Sequence, residues 1–162
     1  MSRKVSLDLE RSPVGVGIRK VGQWVEFGDF TDGGGADGTL NLNKQIPAGS
    51  FVFGSKVTVT EGFSGDTTAV LNVGNSGDDD AYSLTTHDIL SVAANLLEAA
   101  DSQAAGDGGF SLVTSDTTVL LTISGSSDYG LITAGKMFVE VLYLSTNPEI
   151  VDASQTRYDA RN

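Results

Sequence analysis

An all-β fold of the sandwich or jelly-roll kind is predicted by three observations. Apolar and polar residues alternate in seven short segments, at 24–30, 39–43, 51–61, 67–74, 110–113, 117–124 and 136–144, with turn-forming residues between them. Only residues 88–100 carry helical spacing, whereas a βαβ sheet needs a helix between most of its strands. The chain has 162 residues, 40% of them hydrophobic, and no cysteine, so a core of one domain's size must hold by packing alone. The expected organisation is an extended N-terminal arm over 1–20, a β-sandwich domain over 21–145 with one short helix, and a C-terminal tail over 146–162.

Each element has its own signal. The first strand, 24–30, is rich in aromatics (Trp24, Phe27, Phe30), and the run Gly33-Gly34-Gly35-Ala36-Asp37-Gly38 ends it. Leu40 and Leu42 alternate with Thr39, Asn41 and Asn43 in the next. Ile46-Pro47-Ala48-Gly49 then turns the chain into its longest strand, where Phe51, Phe53, Val57 and Val59 are expected on one face and Lys56, Thr58 and Thr60 on the other. The run from Asp66 to Val73 resembles that from Asp116 to Ile123, and both place apolar residues at alternate sites, Ala69, Leu71 and Val73 in one, Val119, Leu121 and Ile123 in the other. Two equivalent strands facing each other are expected. Residues 136–144 are apolar on both faces except at Lys136 and Glu140, which suits a central strand or an oligomer contact. In 88–100, Ile89, Val92, Ala93, Leu96, Leu97 and Ala100 share a helical face that Thr86 or Asp88 would cap; an irregular crossover on a sheet edge is the competing reading.

The net charge of −11 is unevenly spread. Residues 1–20 hold five bases (Arg3, Lys4, Arg11, Arg19, Lys20) against two acids, and the rest of the chain holds five bases against nineteen acids. An acidic body of this kind repels nucleic acid and anionic membranes, whereas a basic arm interleaved with Val5, Leu7, Leu9 and Val14 can dock on an acidic protein surface or remain solvated. No segment reaches the roughly 18 consecutive apolar residues of a membrane span, and the N-terminus lacks the apolar stretch of a signal peptide. A soluble protein made inside the cell is expected, with neither nucleic acid nor membrane as partner.

Candidate chemistry is sparse. The glycine run at 33–38 formally fits G-x-G-x-x-G, but a strand follows where the dinucleotide fingerprint needs a helix N-terminus, so a hairpin loop is expected. Asp78-Asp79-Asp80 could offer oxygens to Ca²⁺ with Asp66 or Asp101 arriving from other loops, although successive residues cannot all point at one ion. A serine hydrolase would have to use His87, the single histidine, as its base, and no G-x-S-x-G elbow is present. Glu26, Glu61 and Glu140 are the strand carboxylates a glycosidase would need, and Trp24, Phe63, Tyr82 and Tyr129 the aromatics of a sugar-stacking platform. The bland reading of each is preferred, and no enzyme activity, catalytic residue, metal or cofactor is expected.

The stretch from Ile46-Pro47-Ala48-Gly49-Ser50-Phe51-Val52-Phe53-Gly54 through Thr60-Glu61-Gly62-Phe63-Ser64-Gly65-Asp66-Thr67-Thr68 to Val73-Gly74 resembles a segment of tailed-bacteriophage virion structural proteins of the head decoration or cement type. With the later Asp116-Thr117-Thr118-Val119 strand and the closing strand at 136–144, the likeness spans residues 46–144. The resemblance implies a non-enzymatic component that binds the major capsid protein on the capsid exterior of the virion, after synthesis in the host cytoplasm, and stabilises the shell. A homo-oligomer, a trimer among the options, would use Phe138, Leu142 and Leu144 as a second apolar face. The capsid-binding residues expected are Arg3, Lys4, Arg11, Arg19 and Lys20 for charge and Val5, Leu7, Leu9 and Val14 for burial. A tail, fibre or carbohydrate-binding module for host attachment is the alternative.

Overall fold

The computed structural model describes residues 17–101 and 108–145. In chain order the strands are β1 (Gly17–Glu26), β2 (Thr31–Asp32), β3 (Asp37–Ile46), β4 (Ser50–Ser64), β5 (Ala69–Gly74), β6 (His87–Asp88), β7 (Ala93–Asp101), β8 (Gly108–Gly109), β9 (Ser111–Val113), β10 (Thr117–Gly125) and β11 (Ala134–Ser145). They form two antiparallel sheets. The first runs β1-β11-β4-β7-β8 with β9 also on β4, and the second runs β2-β3-β10-β5-β6. The expected all-β sandwich is therefore the fold.

The core lies where the two sheets face each other, and alternation selects its members. From the first sheet come Val21 and Val25 of β1, Val57 and Val59 of β4, and Met137, Val139 and Val141 of β11. The second contributes Leu42 and Ile46 of β3, Leu71 and Val73 of β5, and Leu121 and Ile123 of β10. Full burial of each such side chain contributes about 1.5–3 kcal/mol. This is how a chain without disulfides holds together.

Four expectations change. The first strand is β1, which begins at Gly17 inside the segment expected as an arm; the aromatic stretch after Glu26 is a single 3-10 turn, Phe27–Asp29. Val21 and Val25 supply the alternation that recruits β1 to the core. The expected short helix at 88–100 is instead β7, because Ala93, Leu96 and their neighbours find ladder partners on β4, and tertiary pairing overrides the high helix propensity of alanine and leucine. A bulge conceals its period of two: Leu96 pairs with Val57 but Ala93 pairs with Val59, and Asn95 between them takes φ 59°. In β4, Phe51 does not share a face with Val57. Gly54, at φ 150°, and a register shift opposite Leu142 and Tyr143 turn Val52 inward and Phe51 outward. Finally, the two echoing segments do not face each other. As β5 and β10 they are hydrogen-bonded neighbours, with Leu71 opposite Ile123 and Val73 opposite Leu121.

The glycine run at 33–38 is a hairpin loop, as expected: Thr31 pairs with Thr39 and Asp32 with Gly38, while Gly34 donates to Asp32 Oδ1 at 2.7 Å. Of the site residues expected in the arm, Arg3, Lys4, Val5, Leu7, Leu9, Arg11 and Val14 lie outside the described residues, as does the tail at 146–162.

Gly54 offers the sharpest test of this packing. A Cβ there would land on the Glu98 carbonyl of β7, at a φ that L-residues rarely adopt. Gly54→Ala is expected to destabilise the protein by about 2–4 kcal/mol, read as a lower urea midpoint at unchanged slope.

Candidate functional site

Residues directly opposite each other on antiparallel strands point to the same side of the sheet, so pairing register maps the face of the first sheet that looks away from the core. One row across it reads Ile18, Leu144, Phe51, Leu112. A second reads Gly22, Glu140, Lys56, Leu97, and a third Trp24, Phe138, Thr58. Glu26, Lys136 and Glu61 close the series. Five large apolar side chains stand exposed here: Ile18, Trp24, Phe51, Leu97 and Leu112. The Trp24 and Phe138 rings pack 5.1 Å apart.

Charge on this face is internally compensated. Lys20 Nζ lies 2.5 Å from Glu140 Oε1, Lys56 Nζ 3.2 Å from Glu140 Oε2, and Lys136 Nζ 2.5 Å from Glu26 Oε1. The hydrogen bond from Lys20, with further help from Lys56, holds the Glu140 carboxyl below the usual range against the opposing effect of burial. The Glu140 side chain is only 8% exposed although it points away from the core. Thus Lys20, expected as a capsid-binding cation, is a strand residue paired within its own sheet. Arg19 sits beside it in β1, opposite Tyr143. The three strand carboxylates Glu26, Glu61 and Glu140 serve lysines: Glu26 and Glu140 bond them, and the charge of Glu61 acts on Lys136.

The aromatic platform does not assemble. Phe63, Tyr82 and Tyr129 are buried, and only Trp24 is at the surface. Tyr129 donates to the Phe27 carbonyl at 2.6 Å and packs against Phe30 and Gly38, with burial pushing its hydroxyl up to about 12.

His87 is neither a surface residue nor a helix-start residue. It is 3% exposed, and its Nε2 lies 2.9 Å from Ser55 Oγ, itself 1% exposed. Burial lowers the imidazole's affinity for a proton, opposed by the negative charge of Glu98, which stands across from Ser55 in the ladder. A nucleophile, base and acid are thus adjacent by residue type. Closure of Ser55 and His87 from solvent makes this pair a core hydrogen bond that satisfies two buried polar groups. Ser55 escaped sequence reasoning because its partner is 32 residues away; its only signal was a polar residue in a strand otherwise packed inward by Val52, Val57 and Val59.

The acidic loop is compact. Carboxylate oxygens of Asp78, Asp79 and Asp80 lie within 4.8 Å of one another, beside a groove of about 310 Å³ that Asn75, Tyr82, Asp101 and Ser111 help to line. Asp80 is pushed up to about 6, first by its hydrogen bond with Asp78, then by burial and by the charges of Asp78, Asp79 and Asp101. A proton held on Asp80 thus relieves the repulsion. Asp66 is not part of this group. It accepts from Ser126 Oγ and, at 2.7 Å, from the Ser126 amide, which hold its carboxyl below the usual range.

Two titrations follow. His87 has a folded-state affinity for protons below its ordinary value of 6.5, so the unfolded chain protonates first; the stability it contributes is complete above pH 6.5 and declines as pH falls toward the folded value. As the only histidine, its ring proton resonances read this directly, and a midpoint below 6.5 is expected by NMR. Asp80 has the opposite sign. Its raised value means that stability is lost as pH rises from 3.8 through about 6, so Asp80→Asn should stabilise the protein at pH 7.5, and the gain should shrink as pH falls through about 6 and vanish below its ordinary value of 3.8. With solvent screening the gain should be roughly 0.5–1 kcal/mol in urea titrations at the two pH values.

No protein-family model matches the chain, and no curated protein is a significant match. Among solved structures, a chain of the acidic stable capsid structure of Helicobacter pylori bacteriophage KHP30 is 18% identical over 79% of this chain and 93% of that one, at a TM-score of 0.45. A chain of the cyanophage Pam1 capsid asymmetric unit is 17% identical over 79% of this chain and 84% of that one, at a TM-score of 0.57, and the architecture described above is shared with it across most of both chains.

Proposed function

We propose that the chain is a structural component of a tailed-bacteriophage virion, and in particular a decoration or cement protein that binds the major capsid protein on the capsid exterior and associates with copies of itself. The observation that carries this reading is the fold shared with a chain of the cyanophage Pam1 capsid asymmetric unit over 79% of one chain and 84% of the other. The sequence resemblance over 46–144 points the same way, independently of the fold. So does the fate of the candidate catalytic groups: Ser55 and His87 are sealed in the core, and Glu26 and Glu140 are bonded to lysines.

Attachment is assigned to residues 1–16. Arg3, Lys4 and Arg11 would meet acidic capsid surface while Val5, Leu7, Leu9 and Val14 bury against it. Arg19 and Lys20 leave this set, since β1 already includes them. Gly17 pairs with Ser145, so the first and last described residues of the domain lie side by side in the first sheet.

The test is co-sedimentation of purified protein with phage capsids that lack it. Full-length chain is expected to bind saturably, and a chain lacking residues 1–16 to bind at least about tenfold more weakly, a loss of roughly 1.4 kcal/mol or more. The deletion stops before Gly17 so that β1 survives. Binding unaffected by the deletion would refute the arm mechanism, and no binding by either chain would refute capsid decoration.

A further inference from the structure

We infer that the outward face of the first sheet, centred on Leu97, Phe51 and Ile18 around the Lys20–Glu140–Lys56 cluster, is the surface through which two copies of this chain associate. The inference rests on the homo-oligomeric half of the reading above and not on its capsid half.

Charge selects the occupant. This face carries three bases, Lys20, Lys56 and Lys136, and three acids, Glu26, Glu61 and Glu140. The other described residues carry two bases, Arg19 and Lys44, against twelve acids. Two copies of a chain with net charge −11 repel each other through almost any other pairing of surfaces. Here bases and acids are equal in number, and every charge except that of Glu61 is ion-paired within its own copy, so approach brings little uncompensated charge together. Burial then favours contact, because Ile18 is 72% exposed, Leu97 64%, Leu112 45% and Phe51 38%, in rows spanning four strands. Glu140 needs no partner across the contact, since Lys20 and Lys56 each take one of its oxygens. A desolvated ion cluster of this kind is tolerable in an interface only when satisfied in advance.

This mode has a diagnostic salt response. Association of like-charged copies through a neutral apolar face strengthens as salt screens their overall repulsion, whereas docking of a basic arm on an acidic neighbour weakens. Sedimentation velocity of the full-length chain from 1 to 200 μM, in 50 and 500 mM NaCl, reads both quantities. The wild type is expected to form oligomers, more tightly at 500 mM. The double variant Ile18→Glu/Leu97→Glu is expected to dissociate at least about tenfold more readily, with unchanged circular dichroism and thermal unfolding at 1 μM. Asn41→Glu, on an exposed position of β3 in the other sheet, controls for added charge and should leave association close to wild type.

A wild type that stays monomeric throughout overturns the proposal and leaves capsid binding to its own test. An oligomer that weakens with salt, or that the double variant forms as well as the wild type, also overturns it. If the double variant self-associates normally but no longer binds capsids, the face belongs to the capsid contact and the proposal falls.

Discussion

The antiparallel pairing of β11 with β1 on one side and β4 on the other is the constraint on which the rest of the structure depends. β11 is the last described strand, yet it sits inside the first sheet, and both of its ladders join segments far apart in sequence. Lys20 and Glu140, which meet across the first ladder, are 120 residues apart. Until residues 134–145 are in place, β1 has no ladder partner and the core lacks Met137, Val139 and Val141. Closure of such long loops precedes the contacts that reward it, which places the chain among slow-folding β topologies.

Register of β11 is fixed from both faces at once. Inward, Met137, Val139 and Val141 meet the opposite sheet; outward, Glu140 lies between Lys20 and Lys56. A slip of one residue would turn Glu140 into the core and expel the three apolar side chains. β4 repeats the device in adjacent residues. Past the kink at Gly54, Ser55 points inward to His87 and Lys56 outward to Glu140. Each polar group is satisfied on its own side, so the polar contacts specify the pairing without leaving a buried charge unmatched.

How much of this was legible in the sequence depended on whether a strand kept its period. β3, β5, β10 and β11 alternate without interruption at their centres, and Leu71, Val73, Leu121, Ile123 and Val139 reach the core from that pattern alone. Where a bulge inserts an extra residue, the period breaks and the inference breaks with it. In β7 the bulge at Asn95 left an alanine- and leucine-rich run whose spacing imitates a helix, and in β4 the shift near Gly54 reversed the direction of Phe51. The start of the domain was hidden differently. Val21 and Val25 alternate correctly, but Arg19 and Lys20 resemble the basic residues before them, and only the position of Glu140 on a neighbouring strand reveals Lys20 as a sheet residue. Pairings between distant residues, such as Ser55 with His87, leave no local periodicity to read.

Charge and hydrophobicity are sorted by the fold in a way the linear sequence conceals. Lys20, Glu26, Lys56, Glu61, Lys136 and Glu140 come from three strands and look unrelated along the chain, yet register places them on one face of one sheet. The acids of the loops, including Asp78, Asp79 and Asp80, gather no comparable set of lysines among the described residues, and the hydrogen bond with Asp78 and their mutual repulsion raise the proton affinity of Asp80. An acidic exterior favours solubility and discourages nonspecific contact, and contact between like-charged copies costs least where that field is cancelled. The first sheet cancels it with its own residues, and does so beside Ile18, Phe51, Leu97 and Leu112, which its strand ladders align into rows. The ladders that close the core on one side therefore also assemble, on the other, a face on which apolar side chains and equal numbers of bases and acids stand together.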